Sequence, residues 1–387
     1  MRMNIYEQKN NLDNSNNLDH SSEPKDLLMV DEVVAGRFVV EEKIGQGSFG
    51  QIYRHIIILF CHLIRLGKDK HHQKRKVAIK VEPEHHGELS DLPNDPRRLV
   101  IEQQVLLALR KKSNIPTIYA SGKTDKNYPY IVMQILGKNL TTLRKERKEP
   151  KFTSSTAFRI GEQVTHALQY LHEAGYIHRD VKPSNCCIGV PPDTDIIYLV
   201  DFGMCRKVID SNGKWHMPKL KSIFKGTLRY ASLNAIKTHQ CGPSDDMMGW
   251  IYSIIEMALS KLPWAKSTTR DMIHQKTTIT GEQLCSELPL PFLQCYNYIQ
   301  SLKPTEMPRH TFIIECLKSC IPLNVRSNDP YDWEITDINQ DDKAGDQSQI
   351  EKLISGKCNG SGFGVETHSH DTDIQPNLGL VSLPKYQ

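Results

Sequence analysis

The sequence predicts an α+β protein with two lobes, a small lobe built on an antiparallel sheet and a larger, mainly helical lobe. Two observations carry this prediction. Strand-like, β-branched segments come first along the chain, and helical periodicity dominates after Leu140. The 387 residues are 39% hydrophobic and 24% charged, which is enough for one large two-lobed domain or two ordinary ones.

Both ends of the chain are polar. Residues 1–31 and 335–387 hold too few apolar side chains to form a core, so we expect two disordered tails. The domain between them spans 32–334, with the small lobe at about 32–136 and the large lobe at about 137–334. We expect this domain to be monomeric.

Composition excludes several classes of protein. The longest apolar run, residues 56–64, is shorter than the roughly 18 residues that cross a bilayer, which predicts no membrane partner. The net charge of +4 is too small to predict a nucleic-acid partner. The N-terminus lacks an apolar secretory signal, and the ten cysteines show no C-x-x-C spacing. We therefore expect a reducing compartment, the cytoplasm and also the nucleus.

The small lobe begins with a glycine motif. Gly45, Gly47 and Gly50 have the spacing that lets backbone N–H groups lie against phosphates. This spacing also marks dinucleotide sites, but there a helix follows the glycines at once. Here Ile52 and Tyr53 continue as a strand, so a phosphate-covering hairpin is favoured. Further strands are predicted at 37–40, 77–80 and 130–133.

Lys80 ends one of these predicted strands, and Glu102 is its predicted partner. Glu102 falls within an apolar helical stripe formed by Leu99, Leu106 and Leu109. A carboxylate in such a stripe needs a cation, and Lys80 is the candidate. Two alternatives stay open: Glu102 lies at the edge of the stripe, or Lys80 is an ordinary lysine at a strand end.

A second helix delivers a polar loop. Its apolar stripe ends at Gly175, a plausible C′ glycine, and is formed by Ala157, Ile160, Val164, Leu168 and Leu171. The loop reads His178, Arg179, Asp180, Val181, Lys182, Pro183, Ser184 and Asn185. A buried strand is then predicted at 197–200, with Asp201, Phe202 and Gly203 at its end.

These motifs, in this order, resemble those of the protein kinases. The resemblance implies that Asp180 orients an acceptor hydroxyl and takes its proton, while Lys182 neutralises charge on the phosphoryl group. It implies that Lys80, held by Glu102, binds the α- and β-phosphates of ATP, and that Asn185 and Asp201 bind Mg²⁺. Lys182 and Thr227 favour serine and threonine acceptors.

The resemblance also implies an ATP site, with Met133 behind the adenine and 134–136 as the hinge. Its residues are Ile44, Gly45, Gln46, Gly47, Ser48, Phe49, Gly50, Gln51, Ile52, Ala78, Lys80, Met133, Gln134 and Leu136.

Other segments narrow the family. Residues 226–235 replace the usual Ala-Pro-Glu motif and resemble the casein kinase I superfamily. Segments 136–140, 262–264 and 329–334 look most like its tau-tubulin kinase branch. The resemblance covers about 32–334 and implies that Asp246 opens a buried helix, which the apolar segment 250–259 supports.

Two departures from that family pattern stand out. Pro243 and Ser244 precede Asp245 and Asp246 where basic residues are usual, so we expect part of the anion-binding surface to be missing. Residues 55–66 form an apolar insertion of twelve residues. The sequence leaves open whether it is a genuine extension or a gene-model artefact.

We therefore expect a serine/threonine protein kinase that uses ATP and Mg²⁺. Seven lysines and arginines lie between 206 and 229, against the single anion Asp210, which predicts acidic or already phosphorylated protein substrates. Two alternatives remain. The cations form only a solvated face, or the protein is a pseudokinase scaffold that binds nucleotide or partners without turnover.

Overall fold

A computed structural model describes part of the chain, and the predicted α+β architecture with two lobes is confirmed. The described residues are 26–34, 36, 38–47, 50–57, 75–82, 98–210, 212–216, 224, 226–326 and 328–335. The small lobe holds an antiparallel sheet in the order β1-β2-β3-β4-β6-β5. Its strands are β1 (Val33–Val34), β2 (Phe38–Gly47), β3 (Gly50–Ile57), β4 (Arg75–Val81), β5 (Ile118–Lys123) and β6 (Pro129–Gln134).

The sheet has two different faces because strand side chains alternate. Tyr53, Val77 and Ile79 are almost fully buried on one face, in the small core of this lobe. Ile52 and Lys80 are direct partners across β3 and β4 and lie on the other face. That second face is the one that meets the large lobe, since Lys80 contacts Asp201.

The domain begins earlier than predicted. Leu28, placed by the sequence in a disordered tail, is only 1% exposed and belongs to the small core. The backbone N–H groups of Leu27 and Leu28 donate to the Tyr53 hydroxyl at 3.0 and 3.1 Å. Residues 26–31 are therefore part of the fold, while residues 1–25 and 336–387 lie outside the described residues.

The predicted insertion at 55–66 begins inside a strand. His55, Ile56 and Ile57 belong to β3 and pair with both β2 and β4. The pairing with β4 ends at Ile57 and Arg75. These three residues are thus sheet rather than insertion, and residues 58–66 lie outside the described part of the chain.

The large lobe surrounds helix α5. Trp250 and Ile254 of this helix are completely buried, and the Trp250 indole donates to the Gly161 carbonyl at 3.1 Å. No helix in the described part of the chain is both long and apolar enough to cross a membrane. The helices are α1 (Arg98–Ala108), α2 (Leu140–Glu146), α3 (Ser154–Glu173), α4 (Leu233–Thr238), α5 (Pro243–Leu259), α6 (Thr269–Thr278), α7 (Gly281–Leu284), α8 (Leu290–Ser301) and α9 (His310–Ser319).

Two short strand pairs hold the loops between α3 and α4. They are β7 (Tyr176–Ile177) with β10 (Arg206–Lys207), and β8 (Cys186–Ile188) with β9 (Ile197–Leu199). Gly175, which precedes β7, has φ +81°, and a Cβ there would lie 2.7 Å from the Ile209 carbonyl. Only glycine fits this turn, which confirms its predicted place just after α3.

The last described residues fasten the start of α3. The Asp332 carboxylate accepts from the backbone N–H and hydroxyl of Thr153, at 2.7 and 2.8 Å, and Thr153 is the N-cap of α3. The neighbouring rings of Tyr331 and Trp333 stack 4.7 Å apart, and the Arg159 guanidinium covers Tyr331. The segment 331–334 is thus an integral part of the large lobe.

Candidate active site

The strand register gathers four residues of the predicted nucleotide site, Ile52, Ala78, Lys80 and Met133, on one face of the sheet. Ala78 pairs directly with Met133, and Lys80 pairs with Ile52 and with Ile131. Because direct partners share a face, these side chains lie together with the Lys80 ammonium. At the hairpin tip Gly47 pairs with Gly50, while Ser48 and Phe49 lie outside the described residues.

Gln51 does not share this face. Its side chain is 4% exposed and accepts from the Leu27 N–H at 2.8 Å and from the Tyr53 hydroxyl. The predicted nucleotide contact of Gln51 is therefore wrong for its side chain, which instead ties the N-terminal segment to the sheet. Ile44 and Gln46, earlier in the same motif, are exposed.

The predicted hinge connects the lobes after β6. The Gln134 backbone N–H donates to the Thr117 carbonyl at 2.8 Å, and the Gly137 N–H donates to the Ile188 carbonyl at 2.8 Å. A Cβ on Gly137 would come within 2.9 Å of the Gly189 carbonyl, so only glycine permits this close approach. Leu136, between them, is half-buried.

Lys80 stands between two carboxylates from different parts of the chain. Its ammonium lies 2.6 Å from Glu102 Oε2 and 3.0 Å from Asp201 Oδ1. Glu102 is only 3% exposed, so the predicted contact between α1 and β4 is present in the interior. Burial alone would lower the pKa of Lys80, but the two carboxylates raise it above the ordinary value. The same ammonium lowers the pKa of Asp201.

Glu82 positions the helix that carries Glu102, and sequence reasoning missed it. Its carboxylate is buried and accepts from the Leu99 backbone N–H at 3.0 Å, in the first turn of α1. A carboxylate there accepts from one of the N–H groups that have no partner within the first turn of the helix. It also interacts favourably with the positive end of the helix dipole. The contact joins residues 17 positions apart, so no local capping pattern announces it.

Asp180 and Lys182 meet the hydroxyl of Thr227. The Thr227 hydroxyl donates to Asp180 Oδ1 at 2.7 Å, and the Lys182 ammonium lies 2.6 Å from Asp180 Oδ2. Lys182 also donates to the Thr227 hydroxyl at 2.8 Å, which closes the triangle. The carboxylate of Asp180 thus accepts a hydrogen bond from a hydroxyl on one oxygen and faces a cation on the other.

Asn185 and Asp201 present oxygens suited to a hard divalent cation. The Asn185 amide nitrogen donates to the Asp180 carbonyl at 2.9 Å, which leaves the amide oxygen for a ligand. The Asn185 carbonyl accepts from the Val200 N–H at 2.9 Å. This hydrogen bond joins the backbone of Asn185 to the residue just before Asp201. Carboxylate and amide oxygens are ligands that Mg²⁺ accepts.

A buried carboxylate, that of Asp246, holds the start of the loop 178–185. Asp246 accepts from the backbone N–H groups of His178 and Arg179 at 2.6 and 2.8 Å. Arg179 has φ +69°, a strained conformation that these bonds help to hold. Asp246 also contacts the His172 ring at 3.0 Å, and His172 contacts His310 at 2.9 Å. Burial lowers the pKa of His310 to about 3, so this ring is neutral.

A cleft opens beside this loop. Its walls include Asp180, Thr227, Tyr230 and Ala231, so Asp180 borders the cleft together with its hydroxyl partner. Pro243 and Ser244, the departures noted in the sequence, belong to helix α5. Both residues are buried in the first turn of α5, with Pro243 at its first position.

Comparisons with known proteins agree with this geometry. The family model described as "Protein kinase domain" matches residues 38–320. A Dictyostelium discoideum protein provisionally named a serine/threonine-protein kinase is 32% identical over 308 residues, 78% of this chain and 57% of that protein. A Caenorhabditis elegans protein provisionally named casein kinase I is 30% identical over 308 residues, 78% of this chain and 84% of that protein. The chain thus spans little more than half the length of the Dictyostelium relative.

Proposed function

Because this chain belongs to the protein kinase family, we propose that it transfers the γ-phosphate of ATP to serine and threonine hydroxyls of protein substrates. One observation carries the proposal. One carboxylate oxygen of Asp180 accepts a hydrogen bond from the Thr227 hydroxyl, and the other faces the Lys182 ammonium. An acceptor hydroxyl in the adjoining cleft would meet a base beside a fixed positive charge.

The residues divide the chemistry among them. Asp180 orients the acceptor hydroxyl and takes its proton, and Lys182 neutralises charge on the phosphoryl group as it moves. Lys80 holds the nucleotide phosphates, and Glu102 holds Lys80. Asp201 and Asn185 would bind Mg²⁺, which shields the phosphate charges when it is bound.

A casein kinase I-like specificity is the finer part of the proposal. It rests on the segment 226–235 and on the C. elegans relative with that provisional name. The resemblance to the tau-tubulin kinase branch rests on sequence segments alone. Acidic substrates are favoured by the seven cations between 206 and 229, of which Arg206, Lys207, Lys214 and Arg229 lie in the described residues.

Arg229 argues against an obligatory phosphorylated substrate. Its guanidinium donates to Glu256 at 3.1 Å and to the Ala265 carbonyl at 3.0 Å, so it is already paired. Pro243 and Ser244 add no cation nearby. We therefore propose that acidic side chains suffice and that prior phosphorylation adds little.

A matched peptide series tests this function. Peptides that differ only in a serine, threonine or tyrosine acceptor are combined with acidic, phosphorylated or arginine-rich flanks, and transfer from labelled ATP is measured. We expect transfer to serine and threonine, faster with acidic flanks, with an advantage that shrinks as salt screens the charges. Faster transfer to arginine-rich peptides would overturn the substrate proposal. Nucleotide binding without transfer to any peptide would favour the scaffold alternative.

A further inference from the structure

Lys276 is a buried lysine that the proposed chemistry does not use. It lies near the end of α6 and is 7% exposed. Its ammonium donates to three backbone carbonyls, those of Leu228, Arg229 and Ala231, at 3.0, 3.1 and 2.5 Å. One side chain thus holds the backbone of a single short segment at three points.

Among the residues that the structure describes, Lys276 forms no ion pair, and burial is the only cause that shifts its pKa. Instead the ammonium lies 4.8 Å from the centre of the Tyr252 ring and 4.9 Å from that of Trp264. A buried cation without a counterion is costly, and an apolar side chain would fill the same space without that cost. The three carbonyls are the evident reason for a lysine here.

The segment held by Lys276 forms a wall of the acceptor cleft. It follows directly on Thr227, whose hydroxyl contacts both Asp180 and Lys182. Tyr230 and Ala231 line the cleft beside Asp180. The Trp264 indole donates to the Arg229 carbonyl at 2.8 Å. Lys276 and Trp264 therefore both donate to the same carbonyl.

We propose that Lys276 is a positioning residue for the protein acceptor. An ammonium has three N–H donors, and each finds one carbonyl of the segment 228–231. The lysine therefore fixes the backbone shape of the wall against which an acceptor polypeptide lies, while the nucleotide side of the site is held separately by Lys80 and Glu102. This inference rests on the proposed kinase function.

The test compares Lys276→Met with Lys266→Met. Methionine keeps the length and apolar stem of the lysine and removes its charge and donors, and Lys266 is an exposed lysine that controls for the lost charge. The KM for an acceptor peptide, the KM for ATP, kcat and the melting temperature are measured for both variants. Amide hydrogen exchange is followed for the segment 228–232.

For Lys276→Met we expect the KM of the acceptor peptide to rise at least about fivefold, as the loss of one net hydrogen bond would give. The KM for ATP should stay within about twofold of the wild-type value, because the affected carbonyls do not touch the nucleotide face. Exchange at 228–232 should accelerate. Lys266→Met should change none of these quantities.

Several outcomes would overturn the inference. They are an unchanged acceptor KM with unchanged exchange at 228–232, an equal rise of both KM values, or an equal effect of Lys266→Met. If Lys276→Met does not fold, Lys276→Gln, which keeps two N–H donors without charge, is judged by the same criteria. If the wild-type protein showed no phosphotransfer, the proposed function would be wrong. Hydrogen exchange at 228–232 would still show whether Lys276 holds that segment.

Discussion

Lys80, which is half-buried, and Lys276, which is buried, lie on opposite sides of the candidate site, and the protein stabilises them differently. Lys80 lies between the carboxylates of Glu102 and Asp201. Lys276 has three backbone carbonyls and two aromatic rings. In the proposed mechanism the carboxylates hold a charge that acts on phosphates, whereas the carbonyls let a charge hold the backbone of the segment 228–231.

The two environments move the pKa in opposite directions. Burial lowers the pKa of both ammonium groups, but for Lys80 the two carboxylates reverse the effect. Lys276 has no carboxylate partner among the described residues, and burial lowers its pKa to about 7. Lys80 is thus fully charged at neutral pH, while Lys276 keeps the ammonium form, with a donor for each of its three carbonyls, chiefly below about pH 7.

The largest effect is expected on the Lys80 side of the site. Asp180→Asn and Asp201→Asn should each lower kcat by at least about 10²-fold, because these carboxylates act on the acceptor proton and on the metal. Melting temperatures should change little, since neither side chain is part of the apolar core. Asp125→Asn, exposed in the turn between β5 and β6, is the control and should retain full activity. Wild-type kcat in Asp180→Asn would break the assignment of the base.

A moderate effect is expected from Glu102→Gln. Glutamine keeps the size of the side chain and removes one of the two charges beside Lys80, so the KM for ATP should rise about tenfold. The KM for the acceptor peptide should not change, which is the reverse of the pattern expected for Lys276→Met. Glu146→Gln breaks an exposed pair with Lys138 and should leave both KM values within about twofold. If Glu102→Gln raised only the KM for the acceptor peptide, the assignment of Lys80 to the nucleotide and of Lys276 to the acceptor would be wrong.

A smaller effect is expected in the pH dependence of stability. Between pH 7 and about 10 the unfolded chain binds a proton at residue 276 that the folded protein has released, because the ordinary lysine pKa is about 10.4. The free energy of unfolding should therefore rise with pH in the wild type, by up to about 1.4 kcal/mol per unit from this group.

Denaturant unfolding at pH 7.5 and 9 measures this slope. Lys276→Met should lack the contribution, and Lys266→Met should keep it. Lys80 adds no slope in this range, since its raised pKa leaves it charged in both states until the pH passes about 10.4. If the free energy of unfolding rose equally with pH in the wild type and in Lys276→Met, the pKa of Lys276 would not be lowered in the folded protein.

The smallest effect is expected from a deletion after strand β3. Removing residues 59–66 leaves the paired residues up to Ile57 in place, so the sheet that carries Lys80 should persist. The KM values for ATP and for the peptide should both stay within about twofold, because a longer or shorter loop changes closure entropy by only about 0.6 kcal/mol per doubling. Extending the deletion to His55 should lower the melting temperature, since it removes paired strand residues. A loss of ATP binding with the shorter deletion would make residues 59–66 an integral element.

The sequence predicts the Lys80 side of the site well, for a physical reason. A carboxylate inside an apolar helical stripe, such as Glu102, requires a cation, and the requirement is visible in the residue order. The residues of the loop around Asp180 are contiguous, so a single sequence motif indicates their chemistry. Even here alternation along a strand matters, since Gln51 falls on the face opposite Ile52.

The Lys276 side could not be predicted in the same way. Its partners are backbone carbonyls, which every residue carries and which leave no trace in the sequence. Helix α6 is polar, so nothing in its pattern marks one lysine as buried. Leu28 and Glu82 escaped prediction for a similar reason, because each depends on a contact with a residue far along the chain.

The most direct test of the proposed activity is phosphotransfer by the purified full chain. The protein is incubated with Mg²⁺-ATP and a serine peptide with acidic flanks, and phosphopeptide and bound nucleotide are quantified for the wild type and for Asp180→Asn. We predict multiple turnovers by the wild type, and nucleotide binding with at least about 10²-fold slower turnover by the variant. Equal nucleotide binding by both proteins, with no phosphopeptide from either, would contradict the account.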